Sequence, residues 1–148
     1  MRIALAADHA GYVLKDELAQ WLAEAGHEIL DLGTNGPESV DYPEFGAKLA
    51  DAISSGGAER GVVICGSGIG ISIAVNRNPA CRCARVDDPL SAGLAREHND
   101  ANVLALGARL IGPDMAKACV NAFLGTDFAG GRHQRRVDQL SRLLQESD

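Results

Sequence analysis

A single thiol, Cys65, stands at the end of the apolar run 61–64, and Gly66, Gly68 and Gly70 follow it at alternate positions with Ser67 and Ile69 between them. Glycines so spaced let successive backbone N–H groups face outward at a helix start, where they make a donor site for an anion or a developing oxyanion. The positive end of that helix also favours thiolate over thiol. A thiolate beside an oxyanion site can attack a carbonyl, or it can take a proton from the carbon next to one. The second course leaves an enediolate, whose oxygen the N–H groups would hold.

Other uses of a glycine loop fit these residues less well. A dinucleotide fingerprint would want Gly or Ala at its third position, which is Ile71 here, although Asp87 lies about 20 residues on, where the ribose-binding acid belongs. A Walker A loop needs Gly-Lys-Ser/Thr, and none follows. A plain tight turn would need glycine for positive φ and bind nothing.

The elements that must position this loop can be read from hydrophobic period. "RIALAA" is a short strand that stops at Asp8 and His9. Val13, Leu14, Leu18, Trp21, Leu22 and Ala25 recur at helical spacing, with Lys15, Asp16, Glu17 and Glu24 mostly on the other side, and Gly26 ends the helix. "HEILDLG" is a second strand; a loop through Asn35, Gly36 and Pro37 leads past Asp41, Tyr42 and Pro43 to a helix marked by Phe45, Leu49, Ala52 and Ile53.

"GVVICG" is apolar nearly throughout, as expected of a strand covered on both faces. After the loop 66–70 comes a helix through Ile73, Ala74 and Val75, then strands "ACRCARV" and "ANVLALGA" around a helix at about 91–98, and two closing helices near 115–123 and 132–144. Alternation of this kind predicts one α/β domain over 1–148: a Rossmann-like, three-layer fold with a parallel sheet of about five strands and helices on both faces. Ligands in such sheets bind beyond the carboxyl ends of the strands. Asp8 and His9, Cys65 and Ser67, and Asp87 and Asp88 lie at those ends. His98, Asn99 and Asp100 precede the fifth strand and so fall at its opposite end, from which they could serve a site built between two subunits.

The whole-chain numbers set limits on partners. A chain of 148 residues, 46% hydrophobic, supports one core and leaves no room for separate cofactor and substrate domains. A net charge of -6 excludes an extended nucleic-acid surface, which requires an excess of Lys and Arg. No apolar run reaches membrane-spanning length, and the N-terminus does not read as a secretory signal. Cys65, Cys81, Cys83 and Cys119 do not form a disulfide framework, so a cytoplasmic protein with reduced thiols is expected. Cys81 and Cys83 would share a strand face, but no second pair of ligand spacing completes a metal site. No metal is expected.

Five stretches together now carry a resemblance: "ADHAG" at 7–11, "DYP" at 41–43, "ICGSGIGISIAVN" at 64–76, "REHNDANVLALGAR" at 96–109 and "GGRHQRRV" at 130–137. The chain resembles the type B ribose-5-phosphate isomerases, in the wider group that includes galactose-6-phosphate isomerase subunits. That resemblance implies an aldose–ketose isomerase without a cofactor, acting on a sugar phosphate as a homodimer or dimer of dimers with shared active sites. Cys65 matches the base, Ser67 stands where many members have Thr, His98 matches the ring-opening histidine with Asp8 as companion, and Asn99 helps hold the enediolate.

His9, Arg109, Arg132, His133 and Arg136 match phosphate-binding residues, several reaching in from a second subunit through the helix at 132–144. Tyr42, Gly66, Gly68, Ile69 and Gly70 would line the substrate site. Ile69 stands where some members place a glutamate base, which leaves Cys65 as the base here. Leu90 replaces an aromatic found there in many members. Ribose 5-phosphate is the expected substrate; a six-carbon sugar phosphate of the allose or galactose type, or non-catalytic phosphosugar binding, is the alternative.

Each residue also has an ordinary explanation. Asp8 could cap a helix, His98 could complement a helix C-terminus, and five basic residues within 132–142 could be a solvated face. An acidic chain that gathers them nevertheless fits an anion clamp, to which the fork of Arg is suited.

Overall fold

The computed structural model of the chain describes residues 1–146. Five strands, β1 (Arg2–Ala7), β2 (Glu28–Asp31), β3 (Arg60–Cys65), β4 (Cys83–Arg85) and β5 (Val103–Gly107), form one parallel sheet in the order β2-β1-β3-β5-β4. Six helices accompany them: α1 (Tyr12–Glu24), α2 (Tyr42–Ser54), α3 (Ile69–Val75), α4 (Pro89–Asn99), α5 (Pro113–Gly125) and α6 (Arg132–Glu146). The expected α/β, Rossmann-like architecture is the observed one.

Period-2 alternation on the central strands divides the core in two. Ile3 and Leu5, Val62 and Ile64, and Leu104 and Leu106 face a cluster made with α1, α4 and α5, including Leu18, Ala92 and Phe123. Ala4 and Ala6, Val63 and Cys65, and Val103 and Ala105 face α2 and α3 through Phe45, Leu49, Ile71 and Val75. Both faces are therefore dry, which is why these strands read as continuous apolar runs.

Three expectations need correction. The strand "ACRCARV" shrinks to Cys83–Arg85, because side chains take the backbone groups before and around it: Asn102 Oδ1 accepts from Arg82 N–H at 2.8 Å, and Asn76 Oδ1 from Cys83 N–H at 2.8 Å. Cys81 thus lies outside the strand. The glycine loop is shorter than 66–70, since Ile69 and Gly70 already form the first turn of α3.

Lys15 is not on the solvent side of α1. Its side chain is fully buried, with Nζ 2.8 Å from Asp31 and Asp16 and 3.0 Å from Asn35 Oδ1. A helical lysine is ordinarily exposed, and the partners that make burial tolerable come from β2 and the loop after it.

Candidate active site

The strand order creates the crevice. β1 runs into α1 on one face of the sheet, whereas its neighbour β3 runs into α3 on the other, so the two chain paths diverge at their carboxyl ends. Between them opens a cleft of about 600 Å³ lined by Asp8, Tyr42, Cys65, Gly66, Ser67, Ile69, Gly70 and Arg109, all anticipated from sequence, together with Ile73 and Leu110, which were not. Ile73, expected only as part of the helix after the loop, is half exposed and lines the cleft.

Cys65 sits at the floor, 4% exposed, and accepts a hydrogen bond at Sγ from Gly68 N–H at 3.1 Å. Gly68 has φ +76°, and a Cβ there would lie 2.8 Å from the carbonyl carbon of Leu106. From the other side a Cβ on Gly107 would lie 2.7 Å from the carbonyl carbon of Ser67. The loop is thus laid directly on β5, main chain on main chain. The N–H groups of Gly66 and Ser67 donate to no acceptor among the described residues. Ser67 Oγ accepts from Ile69 N–H at 3.1 Å, and its carbonyl is held by Arg85 Nε at 3.0 Å.

Cys81, Cys83 and Cys119 lie outside the cleft. Burial pushes Cys81 and Cys119 up to about 11 and raises Cys83 further. They stay protonated apolar groups, and among the described residues no three potential ligands converge on a metal position. Asp87 is paired with Arg85 at 2.7 Å, and Asp88 caps α4 by accepting from Ser91 N–H at 2.7 Å, so neither faces the cleft chemistry. Leu90 is 73% exposed on the first turn of α4 and does not line the cleft.

Asp8 closes the other wall. Its Oδ1 accepts from Ala10 N–H at 3.0 Å and Gly11 N–H at 3.2 Å, so the turn-forming role and a place in the cleft coexist. Gly11 is required there, since a Cβ would meet Ile64 O at 2.6 Å. His9 Nδ1 accepts from Val40 N–H at 3.2 Å, which puts the ring proton on Nε2. Tyr42 starts α2 and lays its ring against Gly70. The Arg109 guanidinium lies over Gly66 and forms no ion pair among the described residues.

Five expected site residues are elsewhere in this chain. Cys65 pairs with Gly107 at the carboxyl end of β5, whereas His98 and Asn99 end α4 just before that strand begins at Val103, about 13 Å down the sheet. Asn99 lines a separate cavity of about 340 Å³ with Asn76, Cys81, Arg82 and Leu140. The His98 and His133 rings stack at 4.4 Å with an interplanar angle of 14°, bringing α6 with Arg132 and Arg136 to the end of α4. Asp8 and His98 do not meet within one chain. Their separation follows from the strand direction already visible in the sequence.

Arg96 is a buried residue at the end of α4 that sequence reading missed. It is 4% exposed and bonds Asp100 Oδ1 and Ala101 O at 2.8 Å, while Asp100 takes φ +48° at the end of α4. Together they close the C-terminal end of α4, immediately after His98 and Asn99.

The comparison that decides the family covers nearly the whole chain: the sequence model for Ribose/Galactose Isomerase matches residues 3–140. The chain belongs to this isomerase family. Among its members, ribose-5-phosphate isomerase B of Escherichia coli K12 is 44% identical over 144 residues, 97% of each chain. The structure of Clostridium thermocellum ribose-5-phosphate isomerase B superposes with a TM-score of 0.99 at 48% identity, covering 100% of both chains. That of the Mycoplasma genitalium enzyme with bound ribulose-5-phosphate gives 0.93 at 36% identity, over 98% of this chain and 97% of that one. Family membership makes the chain an isomerase, and among the described residues no helix is long and apolar enough to cross a membrane.

Proposed function

We propose that the chain interconverts ribose 5-phosphate and ribulose 5-phosphate, with Cys65 as the base that moves the proton. The observation that carries this reading is the Gly68 N–H directed at Cys65 Sγ from 3.1 Å, in a crevice that also offers the N–H groups of Gly66 and Ser67, unbonded among the described residues. With the sugar open, the thiolate takes the proton from C2, and the C2–H electron pair becomes the C1–C2 double bond while the carbonyl oxygen becomes the enediolate oxygen. A proton passes from O2 to O1, the C2 carbonyl forms, and the thiol returns its proton to C1. Charge builds on oxygen beside fixed donors, which is where preorganised dipoles act most strongly.

The remaining groups divide by subunit. His9 with its Nε2–H, Arg109, Ser67 and Tyr42 hold the substrate from one chain. Asp8 closes the wall beside them. His98, Asn99, Arg132, His133 and Arg136 of a second chain complete the same cleft, His98 opening the sugar ring and the arginines binding phosphate by their forked donors. The reading is of a cytoplasmic homodimer, or pair of dimers, that needs no cofactor, since the proton transfer leaves the overall redox state unchanged.

A panel of five- and six-carbon aldose phosphates, assayed for ketose formation with wild type and Cys65→Ala after exhaustive chelation, tests the whole reading. Turnover fastest with ribose 5-phosphate and lost in Cys65→Ala is expected. Fastest turnover of a six-carbon substrate would reassign the sugar, and binding without turnover would leave a phosphosugar-binding module.

A further inference from the structure

We infer that Lys15 is a positioning residue for His9, acting through the segment 31–40 that it ties down. The chain buries a lysine completely, among two carboxylates and an amide, where a methionine of similar length would avoid desolvating a charge. What the charge holds is a stretch without helix or strand between β2 and α2. Lys15 Nζ donates to both oxygens of Asp31 at 2.8 Å and to Asn35 Oδ1 at 3.0 Å, and Asp31 Oδ1 in turn accepts from Gly33 N–H at 3.0 Å.

That stretch grips the end of β1 at two points. Gly33 O accepts from Ala7 N–H and Thr34 N–H donates to Ala7 O, both at 2.7 Å, one residue before Asp8. Farther along, Val40 N–H donates to His9 Nδ1 at 3.2 Å. The second contact decides which ring nitrogen keeps the proton, so the placement of Val40 makes His9 an Nε2–H donor. Lys15 thereby connects the interior of the α1 side to the hydrogen-bonding state of a side chain at the site's edge. It touches no substrate itself.

This inference deepens the function proposed above in its kinetic part only; its spectroscopic part is independent of that reading. In ¹⁵N-labelled wild type, His9 is expected as a single Nε2–H tautomer, and in Lys15→Met as a mixture. The KM for ribose 5-phosphate is expected to rise about tenfold with kcat nearly unchanged, as for loss of one well-oriented donor to an anion. Asn35→Ala keeps both carboxylates on Lys15, and is expected to shift tautomer and KM in the same direction by less. Val40→Pro, which removes the N–H outright, should reproduce the mixture with the lysine cluster intact. A single Nε2–H tautomer and wild-type KM in Asn35→Ala would overturn the inference, whether or not Lys15→Met folds. Altered tautomers in a protein that isomerises no sugar phosphate would uphold it and sink the proposed reaction instead.

Discussion

The backbone N–H of Gly68 reaches the sulfur of Cys65 at 3.1 Å, across one turn of a loop that a left-handed φ at Gly68 makes possible. Cys65→Ser keeps the volume and the hydrogen bond but offers a far weaker base. It is expected to lower kcat by roughly 10²–10⁴, the range for loss of a positioned general base, with an unchanged thermal melt. A serine variant within a fewfold of wild type would remove Cys65 from the proton path.

Gly68 and Gly70 should answer alanine differently. At Gly68 the new Cβ meets Leu106 main chain in a backbone conformation that strains any L side chain, and a loss of roughly 2–4 kcal/mol in urea unfolding is expected. At Gly70 the obstacle is the Tyr42 ring at 2.5 Å, which is 40% exposed and can swing outward. Gly70→Ala is expected to stay within about 1 kcal/mol of wild type while raising KM. Equal destabilisation by the two would contradict this account of the loop.

The opposite placement of Cys65 and His98 on the sheet permits a complementation test. Cys65→Ala and His98→Ala should each be nearly inactive alone. Co-refolded in equal amounts, about half of the dimers are mixed and each of those carries one site with both groups, so about a quarter of wild-type activity is expected. Mixed dimers seen by mass spectrometry without recovered activity would exclude a shared site.

His133 provides a pH signature. Partial desolvation, then the charges of His98, Arg132 and Arg136, hold its pKa below the usual histidine range, against an opposing pull from Glu97. Its NMR titration midpoint is expected below that of free histidine, and Arg136→Gln should raise it. Because the folded value is the lower one, the unfolded chain takes up this proton first as pH falls. The contribution of His133 to stability is intact above the ordinary range near 6.5 and diminishes as pH drops through the folded value. A midpoint unmoved by Arg136→Gln would rule out the arginine as a cause.

Most of the fold was legible because the strands are buried on both faces. Runs such as "GVVIC" admit few other readings, and Asp8 and Cys65 fell at strand ends by simple counting. Non-local pairing was not legible. Lys15 looked like one charge among several on α1 because Asp31 and Asn35, 16 and 20 residues away, give no local sign of converging on it. "ACRCARV" looked like a full strand because nothing in its own residues announces that Asn76 and Asn102 will take its backbone groups. Ile73 and Leu110 at the cleft mouth went unnoticed for the opposite reason: an apolar residue is read as core until the surface is known.

The floor of the cleft is made where main chain touches main chain: Gly11 against Ile64, Gly68 against Leu106, Gly107 against Ser67. Substitution cannot reach those atoms without breaking the contact, so the donors around Cys65 hold their positions while the surrounding sequence drifts. The rim, with Ser67, Ile69, Ile73 and Leu110, is built of side chains open to change. A lineage carrying this architecture can therefore vary its rim one residue at a time while the donors of the loop stay in place.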